Sequence, residues 1–241
     1  MSGSPAESAR PAAPSPEELT RVVALDGPAG SGKTTVARLT AARLGWRFVD
    51  TGATYRAVAL AVLRAGADPE DAAACTAAAQ AARIGLSTDP ARPGVQLDGD
   101  DVTATIREPA VTAAVSVVSS HPGVRAVLVA EQRRAIGRDD ALGSVVEGRD
   151  IATVVAPLSR VKAYLDADAD VRAARRAGES GAPRDATRAA LLERDRRDNQ
   201  TNQLRASGGA VHIDTTELSL EQVVDAVVEL VSEAGLLEEA R

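Results

Sequence analysis

Short apolar runs alternate with longer helical patterns along most of the chain. Runs with the length and composition of buried strands occur at residues 22–26, 47–50, 144–148, 161–166 and 210–214. Helices are predicted between and after these runs, over residues 33–44, 54–65, 123–136, 170–177, 185–199 and 219–234. Strands that alternate with helices indicate a parallel sheet covered by helices on both faces. We therefore expect an α/β protein with a three-layer αβα fold around a five-stranded parallel sheet.

The alternation is interrupted between residues 68 and 118. Within this stretch, the segments IGLST and GVQLDG are strand-like and are separated by DPARPG, which predicts a β-hairpin within residues 84–101. We expect residues 68–118 to form an inserted lobe outside the main sheet.

A glycine-rich loop lies between the first predicted strand and the first predicted helix. Residues 27–34, GPAGSGKT, match the pattern G-x-x-x-x-G-K-[ST] in the strand–loop–helix context that the motif requires. The backbone N–H groups of such a loop converge on phosphate oxygens at a helix N-terminus. Lys33 would neutralise the β- and γ-phosphates, and Thr34 would reach Mg²⁺ carried by the nucleotide. We predict a nucleoside triphosphate site made of Gly27, Pro28, Ala29, Gly30, Ser31, Gly32, Lys33, Thr34 and Thr35.

The alternative for this loop is a glycine-rich turn with an incidental lysine. The chain contains 26 arginines but only two lysines, Lys33 and Lys162. An ammonium group is a compact point charge and is not equivalent to a planar guanidinium. The lysine kept in the loop therefore favours a phosphate site over an incidental residue.

Two other predicted strands end in polar segments, DTGATYR at residues 50–56 and VVEGRD at 145–150. Ligands of open parallel sheets bind beyond the carboxyl ends of the strands. The side chains of Asp50, Thr51, Tyr55, Arg56, Arg149 and Asp150 are thus expected to face the same crevice as the glycine-rich loop. For the first segment, a helix cap followed by a surface arginine is an equally good explanation. For the second, a charged pair at the end of a buried strand favours a binding role.

Residues 172–205 are strongly cationic, with nine arginines and five acidic residues in a chain whose net charge is −6. Gly178, Gly181 and Pro183 interrupt the helices there, which predicts a mobile arginine-rich lid. Such a lid would exclude water and bring positive charge to a transferring phosphoryl group. Arg194 and Asp198 are four residues apart and share a helix face, although a solvated ion pair explains this spacing as well.

Composition narrows the classes of partner. The net negative charge argues against general affinity for nucleic acid, and no apolar stretch approaches the ~20 residues of a membrane span. The single cysteine, Cys75, cannot form an internal disulfide and is expected to be a buried filler. Residues 1–20, rich in Pro, Ala and Ser, predict a disordered tail without a secretory signal. We expect a monomer in the cytoplasm with small-molecule substrates and neither nucleic-acid nor membrane partners.

Taken together, these segments resemble the nucleoside monophosphate kinases and, more narrowly, the bacterial cytidylate kinases over nearly all of residues 21–236. The matching segments are GPAGSGKTT, DTGATYRAVAL, VTATIREPAV, HPGVRAVLVAEQRR, EGRDIATVV, VKAYLDAD, ERDRRD and HIDTTELSLEQVV. The resemblance implies a P-loop core at 21–50, 119–170 and 200–236, a monophosphate-binding region with the insertion at 51–118, and a lid at about 171–190.

The resemblance also implies a role for each matching residue. ATP would lie on residues 27–35. The phosphate of the monophosphate would contact Thr51, Tyr55, Arg56 and Arg149; cytosine would contact Ser116, Arg125 and Asp150; the ribose would contact Arg194 and Asp198. The catalytic cations would be Lys33, Arg149, Arg175, Arg176 and Arg184.

The chain departs from the family pattern at three positions. Thr201 stands where the family usually carries an arginine, and Arg205 lies one turn further on. Thr51 replaces a serine and keeps its hydroxyl, while Glu147 stands where an aspartate is common.

The implied reaction is transfer of the γ-phosphoryl group of ATP, with Mg²⁺, to CMP or dCMP, giving CDP or dCDP. A phosphate acceptor needs no general base because the second pKa of a phosphate monoester is about 6. The two histidines are expected to be structural, since His121 precedes Pro122 at the start of a helix and His212 lies within a predicted strand. Two alternatives stay open. One is a kinase for another monophosphate or a small alcohol, with Asp50 as base. The other is a P-loop switch protein, which the absence of an N-K-x-D motif disfavours.

Overall fold

A computed structural model describes residues 13–16, 19–137, 143–180, 183–202 and 209–237 of the chain. The strands are β1 (Val22–Asp26), β2 (Arg47–Asp50), β3 (Ile84–Leu86), β4 (Val95–Leu97), β5 (Asp100–Asp101), β6 (Ser144–Gly148), β7 (Val161–Asp166) and β8 (Val211–Asp214). The helices are α1 (Lys33–Leu44), α2 (Thr51–Arg64), α3 (Ala72–Ala81), α4 (Pro109–Val118), α5 (Pro122–Ile136), α6 (Ala169–Ser180), α7 (Arg184–Asn202) and α8 (Leu220–Glu233). A 3₁₀ turn, Thr105–Arg107, and a π-helical turn, Ile151–Val155, complete the described elements.

The main sheet has five parallel strands in the order β2-β6-β1-β7-β8. At the carboxyl end of the central strand β1, Asp26 pairs with Gly148 of β6 and with Tyr164 of β7. Asp50 pairs with Glu147, and Asp166 pairs with Asp214 at the other edge. The carboxyl ends of the strands therefore lie side by side, and the predicted five-stranded parallel sheet is confirmed.

The central strand β1 is buried on both faces, as its unbroken apolar run requires. Val23 and Leu25 pack with α1 and α8 on one face. Val22 and Ala24 pack on the other face with Ile136 of α5 and with the π-helical turn. This alternation produces the three layers expected from the sequence, with a core made mainly of Ala, Val and Leu.

The inserted lobe has its own antiparallel sheet, β3-β4-β5, separate from the main sheet. The predicted hairpin is present as β3 and β4, and a tight turn at Asp98 and Gly99, both with positive φ, adds the short strand β5. Helices α2, α3, α4 and α5 enclose the lobe's apolar core, in which Cys75 is buried as predicted.

Two helices of this lobe were not predicted. The Ala-rich run 72–81 lacks a periodic apolar face, and α3 is set instead by Asp71, whose carboxylate caps the N–H groups of Ala73 and Ala74. Helix α4 begins at Pro109, a residue that is favourable at a first helical position.

Three predicted boundaries are wrong. Helix α2 begins at Thr51 and not near residue 54, because the side chain of Asp50 caps it by accepting from Ala53 N–H. Helix α6 continues through Gly178 to Ser180. Leu19, assigned to the disordered tail of residues 1–20, is only 2% exposed and packs with Val22 and Ile136. Residues 1–12 and 17–18 of that tail lie outside the described residues.

Within the described part of the chain, no single helix is long and apolar enough to cross a membrane. The sharply bent pair α4 and α5 meets that condition only when its two helices are counted together.

Candidate active site

A cleft with a volume of about 430 Å³ opens at the carboxyl edge of the main sheet. The loop after β1, the start of α2, the end of β6 and residues of α6 and α7 line it. These are the segments that the sequence predicted to share one crevice. The sheet therefore brings the glycine-rich loop opposite DTGATYR and EGRD.

The glycine-rich loop wraps around the side chain of Lys33. Its Nζ donates to the carbonyl of Pro28 at 2.6 Å and to Oγ of Ser31 at 3.4 Å. Burial, with Arg149 nearby as a second cause, lowers the pKa of Lys33 to about 7. Gly27 is required at the start of the loop because a Cβ there would lie 2.0 Å from the carbonyl oxygen of Leu165. The loop thus holds a buried cation that an anionic ligand would stabilise.

Hard oxygen donors gather beside the loop. Thr34 Oγ1 donates to Glu147 Oε1 at 2.7 Å, and the Asp50 carboxyl lies next to Glu147. Burial and then the charge of Glu147 raise the pKa of Asp50 to about 7. Such oxygens are the ligands that Mg²⁺ prefers. The described residues contain no group of three or more His, Cys, Asp or Glu side chains able to hold a metal alone, so a cation here would also need phosphate oxygens.

The first turn of α2 faces the cleft from the other side. Thr51 Oγ1 donates to the carbonyl of Glu147 at 2.7 Å. Arg56 Nη1 donates to Ile106 O at 3.2 Å and to Thr112 Oγ1 at 2.9 Å. Burial lowers the pKa of Arg56 to about 10, and Arg194 contributes further. Arg56 is therefore held rigidly within a cationic part of the cleft.

Arg125 of α5 and Asp150, which follows β6, form an ion pair at the deep end of the cleft. The hydroxyl of Tyr55 is buried beside this pair, with the side chain of Gln132 close by. Burial and then Asp150 raise the pKa of Tyr55 to about 12. The structure thus brings Arg125, Asp150 and Tyr55 together and presents both donors and an acceptor to the cleft.

Asp198 of α7 links two arginines of the cleft. Arg149 Nε donates to Asp198 Oδ2 at 3.0 Å, and Arg194 Nε lies 3.9 Å from the same oxygen. Burial opposes the charge of Arg149, but the charge and hydrogen bond of Asp198, with the charges of Glu147 and Asp195, together keep the pKa of Arg149 above its ordinary value. The predicted pair Arg194 and Asp198 therefore lies inside the cleft and not on a solvated surface.

The predicted lid arginines differ in position. Arg175 lines the cleft and donates to Oγ1 and O of Thr215 at 3.0 and 2.7 Å. Arg176 also lines the cleft. Arg184, in contrast, is exposed and donates to Asp170 O at 3.2 Å, away from the cleft.

Ser116 is likewise not brought to the cleft. Its neighbours on α4 and beyond, Val115 and Ser119, line the cleft instead. The side chain of Thr201 and all of Arg205 lie outside the residues that the structure describes.

One residue of the cleft and one buried residue beside the phosphate loop were missed from the sequence. Arg107 ends the 3₁₀ turn, lines the cleft and has Nη2 3.8 Å from Asp50 Oδ2. Asp26 ends β1, and its carboxylate accepts from the N–H groups of Ile151 and Ala152 at 2.9 Å each. Burial raises the pKa of Asp26 to about 6. The sequence signal that could have identified Asp26 is its position as an acidic residue directly before the glycine-rich loop.

Among the described residues, the cleft is rich in cations. Its basic residues are Lys33, Arg56, Arg107, Arg125, Arg149, Arg175, Arg176 and Arg194, and its acidic residues are Asp50, Glu147, Asp150 and Asp198. An excess of positive charge in a chain of net charge −6 is suited to a ligand with several phosphate groups.

Comparisons with known proteins agree with this geometry. A family model described as cytidylate kinase matches residues 23–233. The chain is similar to the cytidylate kinase of Nocardia farcinica, with 45% identity over 224 residues that cover 90% of this chain and 96% of the relative. The cytidylate kinases of Streptomyces coelicolor and Mycobacterium avium are each 46% identical, over 88% and 87% of this chain and 93% and 94% of their own lengths.

Proposed function

The chain belongs to the cytidylate kinase family, and from that premise we propose that it transfers the γ-phosphoryl group of ATP to CMP or dCMP, giving CDP or dCDP. One observation carries the proposal: the phosphate loop and the Arg125–Asp150 pair line the same cationic cleft, with Arg56, Arg149 and Arg194 in the same lining. A donor site and an acceptor site for anionic ligands thus share one cleft.

On the donor side, residues 27–35 would hold the phosphates of ATP, with Lys33 against the β- and γ-phosphates. Thr34 would hold Mg²⁺, with Glu147 and Asp50 close by. When bound, the ion would neutralise phosphate charge. The short Thr34–Glu147 contact supports this because it places both oxygens next to the loop.

On the acceptor side, Thr51, Tyr55, Arg56 and Arg149 would surround the phosphate of the monophosphate. Arg194 and Asp198 would contact the ribose.

Arg125 and Asp150 would recognise the base, whereas Ser116, which does not line the cleft, is given no part in it. The amino group of cytosine can donate to a carboxylate, and its ring nitrogen and carbonyl can accept from a guanidinium. Uracil presents a carbonyl where cytosine presents the amino group, so the carboxylate of Asp150 would disfavour it.

Transfer would proceed without a general base, since the acceptor phosphate is ionised at neutral pH. The two histidines contact residues outside the cleft: His121 lies 2.7 Å from Pro69 O, and His212 stacks on Tyr164. Positioning and positive charge from Lys33, Arg149, Arg175 and Arg176 would then supply the catalysis. Arg184 would join them if residues 171–190 close as a lid.

The division of the chain into core, monophosphate-binding region and lid belongs to the same proposal, as do a monomeric state and a cytoplasmic location. The separate sheet β3-β4-β5 supports an independent monophosphate-binding lobe within residues 51–118.

The test is coupled ADP release from ATP and Mg²⁺ with CMP, dCMP, UMP, AMP, GMP or no acceptor. We expect fast turnover confined to CMP and dCMP. Turnover with UMP as well would assign base discrimination to the arginine that Thr201 replaces. Fast turnover with another monophosphate alone would favour a different kinase. Slow, equal ADP release in every reaction would contradict the proposal and favour a switch or a simple ATPase.

A further inference from the structure

The backbone of Ala29, within the phosphate loop, is held on both sides by one buried ion pair. Its N–H donates to Asp195 Oδ1 at 3.2 Å, and its carbonyl accepts from Arg172 Nη1 at 3.0 Å. The same Nη1 lies 2.5 Å from Asp195 Oδ2. The three residues therefore form a closed ring of contacts. We call the pair Arg172 and Asp195 the loop clamp.

The loop clamp joins α6 and α7 to the phosphate loop. Its side chains are only 8% and 13% exposed, and Arg172 Nε also donates to Ala167 O at 3.1 Å. Ala29 packs with Ala173 of α6 and Leu191 of α7 in a small apolar cluster. Both helices thus rest directly on the loop.

Stability alone does not explain a buried ion pair at this position. Desolvation of two charges offsets most of their attraction, and apolar side chains of similar volume often give equal or greater stability. Apolar side chains could also pack α6 against α7. They could not bind both the N–H and the C=O group of Ala29, whose orientation affects the neighbouring N–H groups that receive phosphate.

Asp195 also lies on the helix that reaches the acceptor side. On α7 it is flanked by Arg194, which lines the cleft, and by Asp198, which accepts from Arg149 Nε at 3.0 Å. Asp195 therefore links the backbone of Ala29 to the helix that carries Arg194 and Asp198, which are assigned to the monophosphate.

We propose that Arg172 and Asp195 are positioning residues that couple the donor site to the acceptor site through α7. This inference rests on the proposed function. Both residues act through the loop backbone. The coupling is reciprocal: a nucleotide on the phosphate loop changes the affinity for CMP, and CMP changes the affinity for the donor by the same factor.

The test is calorimetric measurement of the Kd for CMP, with and without a saturating non-hydrolysable ATP analogue. For the unaltered chain we expect the two values to differ by about 5-fold or more. Asp195→Asn keeps the shape of the side chain but leaves a single acceptor oxygen, so its amide NH2 must face either the N–H of Ala29 or the guanidinium of Arg172. In this variant we expect the two values to agree within about 2-fold.

The matched control is Glu193→Gln on the same helix, whose exposed carboxylate pairs with Arg196 and Arg197 and takes no part in the loop clamp. It should keep the coupling of the unaltered chain. Arg172→Lys serves as a second test of the clamp, because a lysine has one donor atom where Arg172 uses Nε for Ala167 O and Nη1 for Ala29 O and Asp195. It should also lose the coupling, and it decides the question if Asp195→Asn does not fold.

Absence of coupling in the unaltered chain, or full coupling in the clamp variants, would overturn the inference. Either result can occur in an enzyme that phosphorylates CMP normally, and the proposed function would then stand. A chain that does not phosphorylate CMP at all would instead contradict the proposed function.

Discussion

At the scale of single residues, buried charge dominates the cleft. Lys33 is 5% exposed, and its pKa is lowered to about 7 chiefly by burial, so its charged form is costly in the absence of an anion. Function and stability therefore oppose each other at this position.

The variant Lys33→Met is expected to lose turnover and to gain thermal stability. Turnover should fall about 100-fold or more, because a preorganised cation at the transferring group is removed. The Tm should rise by about 2–4 °C for each kcal/mol gained, because an apolar side chain replaces a buried ammonium. Lys162→Met is the control: its ammonium contacts Pro157 O outside the cleft, and turnover should stay unchanged. A lower Tm for Lys33→Met, measured by calorimetry, would contradict this account.

The raised pKa of Asp26 predicts an unusual dependence of stability on pH. Since the folded state holds the proton more tightly, the contribution of Asp26 is largest below pH 3.8 and is lost as the pH rises through about 6. Between about pH 4 and 7, the unaltered chain should lose up to about 3 kcal/mol of unfolding free energy relative to Asp26→Asn. Urea denaturation of both proteins across this range measures the difference. Parallel stability curves would show that burial does not raise this pKa.

The positions of single site residues could be predicted where those residues belong to a local sequence motif. Lys33, Thr34, Arg149 and Asp150 stand in motifs that follow strands, and the cleft contains all four. Arg107 stands in no such pattern, because only the fold of the inserted lobe brings it near Asp50. Arg172 and Asp195 likewise form a pair only when two helices meet on the loop.

At the scale of elements, the end of β6 fixes the start of α2. Gly148 has no room for a side chain, because a Cβ would lie 2.6 Å from Thr51 Oγ1 and 2.7 Å from Ile151 Cδ1. The strand and the helix are thus packed at contact distance where the acceptor is expected.

Gly148→Ala is expected to displace Thr51 from the carbonyl of Glu147. The overpacking should cost about 1–3 kcal/mol of stability and raise the KM for CMP more than the KM for ATP. Gly178→Ala is the matched control, since a Cβ on this helical glycine meets nothing within 4 Å. It should be neutral or gain about 0.5–1 kcal/mol through helix propensity. Equal KM values for CMP in the two variants would show that Gly148 is not a spacer for the acceptor site.

Elements with a clear apolar period or a strong boundary signal were predicted well, including all five strands of the main sheet. Helix α3 was missed because its alanines do not distinguish a buried helix face from an exposed one, and because its start depends on one capping carboxylate. The end of α6 was misplaced because a glycine that suggests a break lies inside a helix that continues.

At the scale of the whole molecule, a cationic cleft lies in a protein of net negative charge. Screening by salt should therefore weaken the binding of both nucleotides, since each carries phosphate charge into the cleft. We expect the KM values for ATP and CMP to rise as NaCl increases from about 50 to about 500 mM, where the Debye length falls below about 5 Å. Sucrose in place of salt is the control for changes in water activity. KM values that do not respond to salt would indicate that the cleft cations are neutralised internally.

The position of the only tryptophan has a practical consequence. Trp46 directly precedes β2, is 3% exposed, and lies against Gly143 with the Arg21 guanidinium 5.6 Å from its ring centre. It therefore sits at the amino end of the sheet, opposite to the edge where nucleotides are expected. Its intrinsic fluorescence should report loss of the core on unfolding and stay nearly constant when the cleft fills. The chain thus carries its own label-free probe, whose signal separates global unfolding from ligand binding.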